Sequence, residues 1–392
     1  MTAWFLRYGA DSLVVLVVIY AQWRIGRAAL AQAARRLPPA RVALLKWALA
    51  AAFTALILAF AAGFHRISGH IPLPHGVTGW IHGAAFLWSF SSTGAWYIHA
   101  LWKRLFALGE DFDPNRRLLV RSAGGVLAAA PFALAGFGTF VQRTDFRVRE
   151  VALPVPGLPA DLAGLRLVQL SDIHLSPYLS ESEFARAIDA ASELRPHLVL
   201  VTGDLISARG DPLDACLRQI ARLRPDLGFL GCLGNHEIYA EAEQYATRQA
   251  ARMGIEFLRR RSRVIRRGTG RLNIAGVDYQ RITDKASYLR GTETLVRPGM
   301  PNILLSHNPD VFPVAARQGF DVTISGHTHG GQVQVEILNQ SLNVARFLTP
   351  YVYGLYRENG RSVYVTRGIG TIGMPARIGA PPEIALLRLE KA

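Results

Sequence analysis

A chain of 392 residues is long enough for two or three domains of ordinary size, so a disulfide-stapled mini-protein is excluded. Half of the residues are hydrophobic, only 19% are charged and the mean hydropathy is +0.17; this excludes a disordered chain and points to one part far more apolar than the rest. Residues 1–145 carry 14 Lys and Arg against 5 acidic residues, giving +9, and residues 146–392 carry 30 against 24, giving +6. The densest basic clusters flank apolar segments instead of forming one stripe, so membrane topology is expected and a nucleic-acid partner is not.

Four apolar stretches precede residue 145, at 4–23, 42–64, 78–101 and 122–141, and each approaches the roughly 20 residues that a bilayer-crossing helix needs. Residues 78–101 and 122–141 contain no Asp, Glu, Lys or Arg. The second stretch has only Lys46, in its first turns, where a long stem carries the ammonium to the interface. The first contains Arg7 and Asp11, spaced to pair on one helical face; a full span and an uncleaved anchor starting near Tyr8 are both open, while no cleavage site of a signal peptide is visible. Arg24, Arg27, Arg35, Arg36 and Arg41 fill the first connection and Lys103, Arg104, Arg116, Arg117 and Arg121 the third, against Arg66 alone in the second. Basic loops stay in the cytoplasm, so a multi-pass protein of the cell (inner) membrane is expected, with everything after Val141 outside the cytoplasm. His65, His70, His75, His82 and His99 match no ligand spacing and read as interface or packing histidines.

From residue 146 the pattern changes. A strand-like lead-in at 146–151 is followed by short apolar runs at 165–170, 198–202, 228–233, 303–305 and 322–324, with helical spacing at 182–194 and 212–223, started by Ser180 and Asp211. Residues 263–277 read as a hairpin turning at 268–270. This is an α/β layout. Each of the five runs ends in a polar motif: Asp172-Ile173-His174, Gly203-Asp204, Gly234-Asn235-His236-Glu237, Ser306-His307 and Gly326-His327-Thr328-His329. Strand ends in open α/β sheets face a common crevice, so these distant groups can converge. Asp, His and Asn together suit Mn, Fe or Zn, and the neighbouring glycines permit sharp turns beside the ligands.

The ordered set, extended to Gly326-His327-Thr328-His329-Gly330-Gly331-Gln332, resembles the calcineurin-like metallophosphoesterase superfamily over about residues 160–390, and most of all its membrane-anchored YkuE/YaeI-like branch. The resemblance implies an αββα two-sheet sandwich in residues 146–392; the apolar stretches place a transmembrane region of about four helices, residues 1–145, in front of it. The resemblance also implies that Asp172, His174 and His329 hold one divalent ion, that Asn235, His307 and His327 hold a second, and that Asp204 bridges them. His236 would protonate the leaving oxygen or steady the developing charge. Many members carry a second Asp in a GDxxD motif, whereas Gly203-Asp204-Leu205-Ile206-Ser207 ends in Ser, so the surroundings of the ligands are expected to differ.

Two such ions acidify a shared water, making a metal-bound hydroxide the nucleophile, and neutralise phosphoryl oxygens. No GxSxG elbow or P-loop competes with this reading. Cys232 reads as a buried strand cysteine; whether it pairs with Cys216 is open. Arg377 is read either as a solvated arginine or as a phosphate contact, and the run from Arg259 to Arg267 either as a charged hairpin face or as a lipid-headgroup contact. His197 needs no function. The expected function is that of a membrane-anchored, dinuclear metal-dependent phosphohydrolase acting on phosphomono- or phosphodiesters, with lipid-linked or envelope phosphates as candidate substrates. The alternative is a noncatalytic membrane receptor or scaffold that keeps an inherited metal-binding domain.

Overall fold

The computed structural model describes residues 2–61, 74–106, 113–337 and 340–392. Residues 62–64 of the second expected span, His65, Arg66 and His70 lie outside them, as do the side chains of Arg7, Asp11 and His75. The chain divides into two compact units, Met1–Phe137 and Gly138–Ala392.

The first unit consists of α1 (Thr2–Ala34), α2 (Pro39–Ala61), α3 (His75–Leu105) and α4 (Pro114–Phe140), the last running on into the second unit. Proline opens α2 and α4 where no intrahelical N–H is lost, and the Asp113 carboxylate accepts from the N–H groups of Asn115 and Arg116 (2.9 and 3.0 Å). Lys103 and Arg104 in the last turn of α3 complement its dipole.

Packing in this unit is polar inward. Ser89, Ser91, Ser92 and Thr93 are buried, and Gln22 of α1 donates to Ser92 of α3 at 2.7 Å. Trp102 donates to the Val120 carbonyl (2.9 Å), an approach that requires Gly124, since a Cβ there would lie 2.4 Å from the indole. Leu44, Trp47, Leu58 and Val126 face outward. Burying small polar groups and exposing large apolar ones suits lipid as the solvent. Among the described residues, Pro39–Ala59 and Pro114–Thr144 are long and apolar enough to cross a bilayer by length and composition. Helix α3 contains the expected uncharged stretch 78–101 within its 31 residues.

The second unit holds two six-stranded sheets. Its strands are β1 (Arg147–Val155), β2 (Arg166–Leu170), β3 (Leu198–Thr202), β4 (Phe229–Cys232), β5 (Ile255–Phe257), β6 (Arg261–Arg267), β7 (Gly270–Gly276), β8 (Asn302–Leu305), β9 (Val322–Ser325), the small hairpin β10 (Gln334–Ile337) and β11 (Gln340–Asn343), β12 (Gly354–Glu358), β13 (Arg361–Val365) and β14 (Glu383–Lys391). One sheet runs β1-β14-β2-β3-β4-β5 and the other β12-β13-β9-β8-β7-β6, with β10-β11 as a separate two-stranded pair. In the first, β2 to β5 are parallel; in the second, β7, β8, β9 and β13 are, with antiparallel β6 and β12 at its edges. Central strands are covered on both faces, which is why β3 is buried at all five residues and reads as a continuous apolar run.

The sheets meet through Leu167, Leu198, Leu200, Leu230, Ile274, Ile303, Leu305, Ile324 and Tyr364. Helices α5 (Glu181–Glu193), α6 (Leu213–Ile220) and α8 (Glu243–Arg252) add Phe184, Ile188, Leu217 and Ala246 to a cluster that includes Val168, Val199 and Val201 of the first sheet. Helix α9 (Phe312–Gln318) adds Phe312 and Ala315 to clusters that include Leu304 and Val363 of the second. These are the four layers of an αββα sandwich. Ser180 starts α5 through a complete capping box with Glu183. Asp211 does not start α6: its carboxylate accepts from the N–H groups of Ser207 and Ala208 (2.9 and 2.8 Å), and Pro212 takes the N-cap. The β6–β7 hairpin turns through Gly268, in the left-handed region at φ 56°.

Candidate metal centre

Parallel register carries five strand ends to one place. The loops after β2, β3, β4, β8 and β9 deliver Asp172 and His174, Asp204, Asn235 and His236, His307, and His327 and His329, respectively. Asp172, His174, Asp204, His327 and His329 adopt φ values of 47° to 76°, which non-glycine residues rarely occupy. That turn swings each side chain back across its strand end. Two glycines make the crowding possible: a Cβ on Gly234 would lie 2.1 Å from Asp204 Oδ1, and one on Gly326 would lie 2.2 Å from Asp172 Oδ2.

The donor atoms fall into groups. Asp172, His174 and His329 form one; Asp204, His307 and His327 form a second; and His174 and Asp204 also meet His236. His174 Nε2 lies 3.1 Å from His329 Nε2, and 3.5 Å from Asp204 Oδ2, while His329 Nε2 lies 3.4 Å from Asp172 Oδ1. Asp204 Oδ2 reaches His307 Nε2 at 3.0 Å, so this one carboxylate approaches histidines of both groups. Asn235, at the start of α7 (Asn235–Tyr239), is buried with its Oδ1 lacking a hydrogen-bond partner, and His307 Nε2 lacks one too despite its approach to Asp204. Buried polar atoms without partners are costly, and here they are good metal donors aimed into a cluster of others. The residues present therefore fit divalent metal.

Electrostatics agree with that chemistry. Burial pushes the imidazoles of His174 and His329 down and that of His327 down to about 3, leaving them as neutral donors. Burial also opposes charge on His307, but Asp204 and Asp172 outweigh it and raise His307 to about 10. Burial raises Asp172; for Asp204 it is outweighed by His307 and His236, which hold that carboxyl well below its usual range.

Surrounding groups fix the donors. His307 Nδ1 lies 2.7 Å from the Thr202 carbonyl, an acceptor only, so Nδ1 keeps its proton and Nε2, once it has given up its own, is the atom free to ligate. His236 Nδ1 lies 2.6 Å from the Ser207 carbonyl by the same logic, while the Ser207 hydroxyl meets His174 Nδ1 at 3.1 Å. The serine in place of the usual second aspartate thus touches two of the site histidines, His236 through its backbone and His174 through its side chain.

Three features escaped the sequence. Glu237 is fully buried and accepts from the N–H groups of Asp204, Leu205 and Gly234 (3.0, 2.6 and 2.7 Å), locking the loop that presents Asp204. Its place directly after Asn235-His236 was the available signal. Tyr279 stands 5.4 Å from His327 and 6.0 Å from His307 between ring centroids, and Tyr239 stands 5.5 Å from His236; nothing in their local sequence marks them.

Arg377 is neither solvated nor a surface phosphate contact. It has no exposed surface and donates to the carbonyls of Gly370, Arg367, Ala380 and Gly368 at 2.5 to 3.2 Å, with His329 Nδ1 and the His329 carbonyl at 3.4 Å. Cys216 and Cys232 are buried and unpaired, and burial pushes both thiols well above their usual range. His197 accepts from the Arg166 N–H at 3.0 Å, a structural bond. The basic run is partly neutralised within the hairpin region: Arg259 forms a bidentate pair with Asp278, and Arg263 meets Glu256 at 2.8 Å.

Residues 165–331 match the family model described as Calcineurin-like phosphoesterase. The chain is 32% identical over 332 residues to a "Transmembrane protein with metallophosphoesterase domain" of Danio rerio, covering 78% of this chain and 74% of the relative. It is 27% identical over 289 residues to the "Uncharacterized metallophosphoesterase YkuE" of Bacillus subtilis, covering 70% and 98%. It is 26% identical over 233 residues to the "Phosphodiesterase YaeI" of Escherichia coli, covering 58% and 83%.

Proposed function

The chain belongs to the calcineurin-like phosphoesterase family and is a phosphoric ester hydrolase; from this premise we propose that Gly138–Ala392 works as a dinuclear, metal-dependent phosphohydrolase tethered to a membrane. The observation that carries this reading is the convergence of the donor groups, with Asp204 within 3.5 Å of histidines from both. Asp172, His174 and His329 would hold one ion, Asn235, His307 and His327 the other, and Asp204 would bridge them. When bound, two divalent ions such as Mn, Fe or Zn would acidify a water and offset charge on the phosphoryl oxygens.

The remaining work belongs to side chains. His236 holds its Nδ1 proton against the Ser207 carbonyl, so Nε2 is the atom that exchanges a proton with the leaving oxygen. Tyr239 and Tyr279 flank His236 and His327 with aromatic surface. Neither thiol is suited to act as a nucleophile, being buried and held protonated.

The Lys/Arg asymmetry of the connecting loops supports a multi-pass inner-membrane protein with this unit outside the cytoplasm, where lipid-linked and envelope phosphoesters are within reach. Full-length protein in mild detergent, loaded with Mn, should hydrolyse members of a panel of phosphomono- and phosphodiesters. His236→Ala should retain bound metal and lose about 10²- to 10⁴-fold in turnover on unactivated esters. Full metal occupancy without turnover on any ester would favour a noncatalytic receptor or scaffold instead.

A further inference from the structure

After β11 the chain makes a single 3-10 turn, Val344–Phe347, capped by Asn343, whose side-chain oxygen accepts from the Ala345 N–H at 2.9 Å. The amide nitrogen of the same asparagine donates to the Gly330 carbonyl at 2.7 Å, so the turn is fastened to the loop carrying His327 and His329. The fit is tight: a Cβ on Gly331 would lie 1.9 Å from Asn343 Oδ1. On the far side, the Thr349 hydroxyl donates to Asp310. Between these anchors, Phe347 is 90% exposed and Leu348 is 75% exposed, next to exposed Arg346.

Two adjacent large apolar side chains held this far out of the protein, on a turn clamped at both ends, are unusual for a surface meeting only water. One cation stands beside them: Arg346 is exposed and makes no ion pair among the described residues, while Lys285, 3.6 Å from Asp310, balances that carboxylate. An aromatic and a leucine beside a basic residue suit the acyl–headgroup boundary of a phospholipid surface, with the apolar pair below the phosphates and the cation level with them. Two helices of the same chain are long and apolar enough to cross a bilayer, and tethering of that kind raises the effective lipid concentration at weak contacts.

We propose that Phe347 and Leu348 form an interfacial wedge that dips into the phospholipid surface and presents the metal loop to phosphoesters carried in the headgroup layer. The substrate part of this proposal rests on the phosphohydrolase reading above: it makes an amphiphilic, lipid-borne phosphoester the preferred substrate class.

The test uses full-length protein in nanodiscs of phosphatidylcholine and phosphatidylglycerol. A bimane label on Phe347→Cys, with the two native cysteines buried, should lose most of its emission when headgroup-proximal nitroxide lipids are included, while the same label on Glu193→Cys should keep it. In parallel, Phe347→Ser with Leu348→Ser should retain metal and hydrolyse a soluble aryl phosphoester at the wild-type rate. The same double variant should lose about tenfold on a phosphoester lipid displayed in the disc, equivalent to about 1.4 kcal/mol. An unquenched label at position 347, or equal rates of wild type and variant on the displayed lipid, would overturn the wedge. If neither ester is turned over while quenching persists, the wedge stands and the phosphohydrolase reading fails.

Discussion

Replacing Arg377 with methionine should destabilise the catalytic unit by about 3–5 kcal/mol, because it strips the donor from carbonyls that have no water to turn to. The guanidinium is fully buried, and burial pushes it down only to about 9, so it remains charged at neutral pH. Its three shortest carbonyl contacts are Gly370 at 2.5 Å, Arg367 at 2.9 Å and Ala380 at 3.0 Å. Hydrogen bonds to a charged group contribute roughly 1.5–3 kcal/mol each, and desolvation of the guanidinium in the wild type takes back part of their sum. Arg377→Lys keeps the charge but cannot span the same fan of acceptors, and should recover less than half of the loss. Urea titration of the metal-free protein in detergent, followed by a probe in Gly138–Ala392, measures the effect. Because the His329 backbone carbonyl and Nδ1 both lie at 3.4 Å from this side chain, metal affinity should fall in parallel. A variant within about 1 kcal/mol of wild type that instead raises KM for phosphoesters tenfold would refute the structural role and restore Arg377 as a substrate contact.

Asp204→Ala should lower metal content and activity together while leaving the fold in place, and full occupancy in that variant, read by elemental analysis, would remove Asp204 from its bridging role. Loading the metal-free protein near pH 7.5 should release about one proton per chain, since His307 is held up to about 10 by Asp204 and Asp172 and must be neutral to ligate; affinity should therefore rise with pH from about 6 to 9. A flat affinity over that range, with no pH change in weak buffer, would contradict this sign. A reporter that works only outside the cytoplasm, fused after Ala392, should be active; activity of a cytoplasm-only reporter at the same end would reverse the topology and make cytoplasmic precursors the leading substrates.

Much of the catalytic unit was legible because local patterns encode burial. The apolar runs became β2, β3, β4, β8 and β9, Ser180 capped α5, and the glycines at 268–270 turned the β6–β7 hairpin, each through interactions within a few residues. The order of polar endings after those runs carries the family resemblance without any tertiary information. In the first unit, absence of charge picks out 78–101, which lies inside helix α3, while length and composition together single out Pro39–Ala59 and Pro114–Thr144 among the described residues.

What the sequence alone determined was therefore which residues lie at strand ends and which chemistry they offer. How they meet was decided by tertiary structure. His174 and His329 are 155 positions apart and stand 3.1 Å from one another only because β2 and β9 belong to different sheets whose ends open on one crevice. Arg377 carries no local mark of its role, and the marks on Glu237 and Ser207, their places inside two motifs, do not say what they touch: an arginine aimed at carbonyls, a glutamate accepting three N–H groups and a serine touching two histidines are defined by partners brought from other loops. Periodicity reports whether a side chain faces the core, but the identity of its neighbour depends on sheet order and register, which only the folded chain fixes.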